Sequence, residues 1–136
     1  VDNYDTGLQD SILYSNTDIS FSPSTVASST LSYEPFRKLK IALISKYVGK
    51  QYLDNTQSDL RKLDAFTTQS IRINWTPELI KAPGLELAFQ INNLLDVKYN
   101  PNGYTYSGFS GNVRYDYNYY FPQAGRNVMA MIKLKF

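Results

Sequence analysis

Gly125-Arg126-Asn127-Val128-Met129-Ala130-Met131-Ile132-Lys133-Leu134-Lys135-Phe136 is the stretch that decides the fold. Val128, Ala130, Ile132, Leu134 and Phe136 share one parity; Asn127, Met129, Met131, Lys133 and Lys135 share the other. A period of two is the signature of a β-strand, whose successive side chains point to opposite faces. One face suits lipid and the other a polar lumen. A slip of one residue would turn Lys133 and Lys135 toward lipid, where a Lys near the midplane costs about 2–4 kcal/mol. The register of this segment is therefore well determined.

The same alternation recurs upstream. In Gly84 to Leu94, Leu85, Leu87, Phe89 and Ile91 alternate with Glu86, Ala88, Gln90 and Asn92. In Asp64 to Trp75, Ile71, Ile73 and Trp75 oppose Ser70, Arg72 and Asn74. In Lys38 to Gly49, Leu39, Ile41, Leu43 and Tyr47 oppose Lys38, Lys40 and Lys46, with Ile44 and Val48 blurring the pattern. A weaker strand, rich in Ser and Thr, spans about Ile19 to Tyr33. Helical periodicity is nearly absent.

The connections alternate in length. Glu34-Pro35-Phe36-Arg37 reads as a short turn, and so does Pro77 to Pro83, whose prolines cannot donate to a ladder. Lys50–Leu63 is longer. Asp96–Gln123 is longest and is full of Tyr, Asn and Gly. Short turns at one end and long loops at the other are expected of outer-membrane barrels. Strands of about 11 residues, rising about 3.3 Å per residue and tilted about 45°, span roughly 25 Å, the height of the apolar band of such barrels.

Composition narrows the function. There is no cysteine and no histidine, and the formal net charge is +2. Disulfides, thiolate metal sites and histidine acid–base chemistry are excluded. A nucleic-acid partner is not expected, since that needs a concentrated basic face. Nothing resembles a nucleophile elbow or a phosphate loop, so no catalytic residue, metal or cofactor is assigned and the chain reads as no enzyme. Twelve Tyr outnumber seven Phe and one Trp, and such side chains suit boundaries between dry and wet. Val1-Asp2-Asn3-Tyr4-Asp5 has no basic n-region and no apolar h-region, so it reads as no signal peptide. The mean hydropathy of −0.37 is compatible with a barrel, in which only alternate residues meet lipid.

Alternation by itself also fits a soluble small-ligand β-barrel, with the apolar face as core. Three features favour the membrane: the strand length, the alternating loops and the in-phase terminal aromatic. About five strands cannot close, because bacterial barrels have at least eight and open edges are not tolerated in lipid. The expected fold is therefore an all-β, transmembrane antiparallel β-barrel, with residues 1–136 as its C-terminal portion.

Several motifs carry a resemblance. Leu87-Ala88-Phe89-Gln90-Ile91-Asn92-Asn93-Leu94-Leu95-Asp96-Val97-Lys98-Tyr99 resembles the penultimate-strand motif of TonB-dependent outer-membrane receptors. Phe121-Pro122-Gln123-Ala124-Gly125-Arg126-Asn127 resembles their entry to the final strand. Phe136 resembles their terminal aromatic, an assembly signal. Tyr47-Val48-Gly49-Lys50-Gln51-Tyr52-Leu53-Asp54-Asn55 is similar to a strand-to-loop junction of such receptors in Bacteroidetes-type bacteria. The resemblance implies a 22-stranded barrel in the bacterial outer membrane, of which these would be the last strands. It also implies a plug and an inner-membrane energy-transducing partner, both engaged through parts absent from this sequence, and import of a scarce nutrient. An outer-membrane barrel serving assembly or adhesion is the alternative.

On this reading Val128, Ala130, Ile132, Leu134, Leu85, Leu87, Phe89 and Ile91 face the lipid bilayer. Lys50–Leu63 and Asp96–Gln123 are extracellular. Tyr104, Tyr106, Phe109, Arg114 and Tyr115 are candidate contacts for an external ligand or partner, with Gly103, Gly108 and Gly111 letting the backbone turn. Packing of the aromatics within the segment, or strand extension, is the plainer account of them. Asp54, Asn55 and Asp59 invite a calcium reading, as do Asp2, Asp5 and Asp10, but these are also ordinary turn formers. Asn74-Trp75-Thr76 matches a glycosylation sequon, and Trp75 reads better as an interface anchor.

Overall fold

The computed structural model describes residues 2–9, 11–78, 84–111 and 113–135. It is all-β, about 55% strand, with no helix among the described residues. The strands are β1 (Asp2–Asn3), β2 (Val26–Phe36), β3 (Leu39–Val48), β4 (Gln51–Tyr52), β5 (Lys62–Leu63), β6 (Phe66–Trp75), β7 (Glu86–Asn92), β8 (Asn102–Ser110), β9 (Val113–Phe121) and β10 (Asn127–Lys133). They fall into two compact units. One comprises Val26–Val48, Phe66–Lys98 and Ala124–Phe136; the other comprises Val1–Thr25, Gly49–Ala65 and Tyr99–Gln123. Phe136, Asp10 and residues 79–83 of the expected Pro77–Pro83 turn lie outside the described residues.

The first unit is a five-stranded antiparallel sheet in the order β10-β7-β6-β3-β2. Its register aligns the apolar parities of all five strands. Leu31, Leu43, Ile71, Ile91 and Val128 form one row across the sheet. Tyr33, Ile41, Ile73, Phe89 and Ala130 form the next, and Phe36, Leu39, Trp75, Leu87 and Ile132 the third. The opposite face carries the polar side chains, hydrogen-bonded to one another, with Ala42, Ile44, Ala88, Met129 and Met131 among them. Arg72 Nε donates to Gln90 Oε1 at 2.7 Å, Gln90 donates to Asn92, and Asn92 Nδ2 donates to Asn127 Oδ1 at 2.9 Å. Lys133 pairs with Glu86 at 3.5 Å.

Within these strands only Ala42 and Val48 are buried. Leu31 and Ile132 are each 72% exposed. A sheet normally buries one apolar face against another layer, and this one carries three uncovered rows. The outer edges of β2 and β10 have no neighbour among the described residues.

The structure corrects several expected boundaries. The first long strand begins at Val26, so the stretch from Ile19 to Thr25 is not part of it. Glu34, Pro35 and Phe36 belong to β2, which shifts register between Tyr33 and Phe36. Pro is tolerated at such an irregularity on an edge strand, and the turn itself is Arg37–Lys38. Asp64 and Ala65 precede β6. Both long connections carry strands of their own: β4 pairs with β5, and β8 with β9.

The two motif segments around β7 and β10 meet in a clasp. Asn93, buried and in the left-handed region at φ 50, brackets Val97: its Nδ2 donates to Val97 O at 2.9 Å and its Oδ1 accepts from Val97 N at 3.0 Å. Leu94 N donates to Gln69 O at 2.7 Å. This turn presents the Asp96 carboxylate to Arg126 N at 2.8 Å and to Lys98 Nζ at 3.0 Å. The Arg126 backbone N–H, then Lys98, hold the Asp96 carboxyl below the usual range. A Cβ at position 125 would overlap Asp96 Oδ1, which is why Gly125 stands there. The clasp fixes where β10 starts.

Candidate functional site

The second unit is organised by the β8–β9 hairpin, paired from Asn102↔Phe121 to Ser110↔Val113. Gly111, at φ 59, sits at its tip and is free to adopt that conformation. Asp5 caps the tip, accepting from Ser110 Oγ at 3.2 Å and from Gly111 N. Contrary to the expectation that they turn the chain, Gly103 and Gly108 both lie inside β8. A side chain at Gly108 would overlap the Tyr4 ring, and one at Gly103 would press on Leu53.

The hairpin has two unlike faces. Tyr104, Tyr106, Tyr115, Tyr117, Tyr119 and Phe121 share one. Tyr104 stacks on Tyr119 with ring centroids 4.8 Å apart, and Tyr106 on Tyr117 at 4.9 Å. Tyr106 and Tyr119 are 6.2 Å apart, so the rings form a continuous ladder. The other face carries Thr105, Ser107, Phe109, Arg114, Asp116 and Asn118. The five candidate contacts are thus divided: Tyr104, Tyr106 and Tyr115 lie on the aromatic face, whereas Phe109 and Arg114 oppose each other on the polar one.

The polar face is tied to the segment between β4 and β5. Arg61, only 4% exposed, donates to Asp54, Ser107 and Asp116. Arg114 Nε joins Asp116 at 2.9 Å. Asn118 Nδ2 donates to Leu60 O at 2.9 Å. Tyr52, Leu53 and Leu63 are buried beside them and form a small apolar core. Burial pushes the Asp54 carboxyl up, but hydrogen bonds from Thr56 and Arg61 outweigh it and leave it below the ordinary range. Asp116 behaves alike: burial raises it, and Ser107, Arg114 and the nearby Arg61 charge bring it down. Asp116 and Tyr14 raise the Arg114 guanidinium further.

Above this network opens a cavity of about 440 Å³. Asp54, Arg61 and Arg114 stand in its wall, with Thr56, Ser107 and Tyr106 beside them, and Gln9, Ser11 and Tyr14 complete it. Chemically the site offers hydrogen bonds and a paired-charge floor. The oxygen donors weighed for calcium in Lys50–Leu63 are otherwise engaged: Asp54 holds Arg61, Asn55 Oδ1 accepts from Ser20 N at 2.8 Å, and Asp59 pairs with Lys62 at 3.3 Å. No group of three acidic, imidazole or thiol side chains is placed to hold a metal among the described residues. Sequence reasoning missed Arg61 and Asp116, which lie 55 positions apart with no local pattern linking them.

No protein-family model matches the chain. Over 92 residues, 61% of this chain, it is 35% identical to an uncharacterized protein, YddB, of Escherichia coli (strain K12). The match spans about a tenth of that protein, 11% of its length. No helix among the described residues is long and apolar enough to cross a membrane, which says nothing of crossing by strands.

Proposed function

We propose that this chain is the C-terminal part of a TonB-dependent outer-membrane receptor that imports a scarce nutrient by energy-coupled transport. The observation that carries the reading is the sheet of the first unit. Three rows of five apolar side chains lie uncovered on one face, the other face carries the hydrogen-bonded polar side chains, and neither edge has a neighbour among the described residues. A bilayer outside, a polar lumen inside and further strands of the same barrel at the edges satisfy all three at once. A soluble small-ligand barrel accounts for them less well, because its apolar face would have to close on itself as a core.

The likeness of the motif segments to this receptor family supports the transport role. Their residues meet in the Asn93–Asp96–Gly125 clasp, so the spacing has a structural reason. The hairpin of two nine-residue strands and its partner loop would then form part of the external surface.

The test uses the full-length protein expressed in its own host. It should sediment with outer membranes and migrate differently before and after boiling. Single cysteines at Val128, Ala130 and Ile132 should react with a lipid-phase reagent, and cysteines at Met129, Met131 and Lys133 should not. Recovery in the soluble fraction, or labelling without alternation, would overturn the barrel. Growth on a limiting nutrient that survives loss of the energy-transducing partner would overturn the transport role alone.

A further inference from the structure

The cavity of the second unit constrains the chemistry of what it holds. Its volume of about 440 Å³ lies in the range of small-molecule sites. Two guanidiniums in the wall would ordinarily suit an anion. Both are already matched: Arg61 is held by Asp54 and Asp116, and Arg114 by Asp116. Two carboxylates against two guanidiniums leave no net charge. An anionic ligand reaching Arg61 would have to displace Asp54, which also accepts from Thr56 N at 3.0 Å and from Thr56 Oγ1 at 2.5 Å. A bare cation fares no better, because the same carboxylate is spent on Arg61. Ile12 is the lone large aliphatic side chain in the wall, so an apolar ligand gains little.

What remains are uncharged groups that both donate and accept. Tyr14 and Ser11 bring hydroxyls. The Gln9 Nε2 is engaged with Asp2 at 3.0 Å, which leaves its carbonyl oxygen as an acceptor. Thr105 donates to Asn118 at 2.7 Å and keeps its lone pairs. The Arg114 guanidinium has five N–H donors, and Asp116 and Ser107 occupy only some of them. Tyr106 stacks on Tyr117 with ring centroids 4.9 Å apart, so that face of its ring is taken. Tyr14, 40% exposed, is the ring available for stacking.

We propose that this cavity binds a neutral, hydroxyl-rich ligand, a saccharide unit, in preference to an anionic metal chelate. The proposal rests on reading this unit as the receptor's external surface. Hydroxyl groups that donate on one side and accept on the other match a wall of the same kind, and an uncharged ligand leaves the Asp54–Arg61–Asp116–Arg114 network intact.

The experiment is saturation-transfer NMR on the full-length protein in detergent micelles, with three probes tried separately. They are a set of neutral disaccharides built from hexoses, pentoses and N-acetylhexosamines; gallium citrate, as a diamagnetic stand-in for a ferric chelate; and the tripeptide Ser-Gly-Ser. Transfer to at least one disaccharide is expected, weakened about tenfold by Arg114→Gln, the loss of a charged hydrogen bond. Tyr14→Ala should weaken it comparably; this residue lies outside every strand, so the hairpin keeps its pairing. Lys40→Gln, in the other unit, should leave it unchanged. Transfer to gallium citrate or the tripeptide alone, transfer to no probe, or disaccharide binding indifferent to both variants would each overturn the proposal. A protein that fractionates with outer membranes yet takes no sugar sinks the ligand class only. A protein in the soluble fraction sinks the receptor reading, whatever it binds.

Discussion

Arg61 shows how much a single side chain can hold. Its guanidinium is buried against two carboxylates that are themselves only partly covered, 25% and 32% exposed. Breaking a fully buried pair costs about 3–5 kcal/mol, and water reaching the carboxylates reduces that. Arg61→Met should therefore destabilise the second unit by about 2 kcal/mol, read as faster amide exchange in β5, β8 and β9. The pH dependence follows from the same pair. Both Asp carboxyls sit lower in the folded state than their unfolded value of about 3.9. Their contribution is thus present above that value and is lost as pH falls through the lower, folded one. Exchange in this unit should accelerate below about pH 4 in the wild type, and Arg61→Met should flatten that response. An acid response unchanged by the substitution would show that other carboxylates set it.

Gly125 is the second residue whose role is geometric. A methyl group there would meet the carboxylate of Asp96, which Arg126 N–H holds in place. Gly125→Ala should lower assembly of the full-length protein, and Asp96→Ala should too. Together they should lose less than the sum, because removing the carboxylate makes room for the methyl. Strictly additive losses, read from the heat-modifiable fraction, would sink this account. The sequence showed both residues inside recognisable motifs, but not that they touch, because 28 intervening positions hide the contact.

At the scale of elements, the alternation within β10 and β7 was legible because period two is a local property of the chain. Pairing then converts it into a surface. Ala130 lies in the middle apolar row opposite Phe89, and Met131 lies on the other face opposite Ala88. If the apolar face meets lipid, Ala130→Arg should cost about 2–4 kcal/mol near midplane. Met131→Arg should stay within about 0.5 kcal/mol, as an exposed substitution does. Urea unfolding in lipid vesicles measures both, and equal costs would remove the case for a lipid-facing side. The Tyr ladder belongs to the same scale. Tyr119 stacks on Tyr104 and also neighbours Tyr106, so Tyr119→Ala should lose about 0.5–1.5 kcal/mol of aromatic pairing beyond its area. Protection of β8 and β9 amides should fall while that of β6 holds; a fall in both would mean that the ladder supports more than its own hairpin. The aromatic richness of this segment was visible in the sequence. Its division into two faces was not, since Phe109 differs from Tyr104 in parity along β8, while Arg114 joins Phe109 only through the pairing of β8 with β9.

For the whole molecule the edges matter most. Among the described residues β6 is flanked by β3 and β7, whereas β2 and β10 each have one neighbour. In the isolated 136-residue chain, amides on the outer edges of β2 and β10 should exchange with solvent while those of β6 are protected. The chain should not behave as a closed, heat-resistant monomer in detergent. Uniform protection of all five strands in a monomer would show a closure that this strand order does not contain.

The sequence by itself determined that the chain is all-β, the parity of β3, β6, β7 and β10 and therefore which of their side chains share a face. These follow from the period of the backbone, which acts over a few residues and needs no partner. Tertiary structure alone decided what lies in the long connections and what holds them. Whether Asp96–Gln123 is a loose loop or a paired hairpin depends on contacts such as Arg61 with Asp116, between groups far apart in the chain. Such contacts leave no periodic trace, because an ion pair requires only that two charges meet in space.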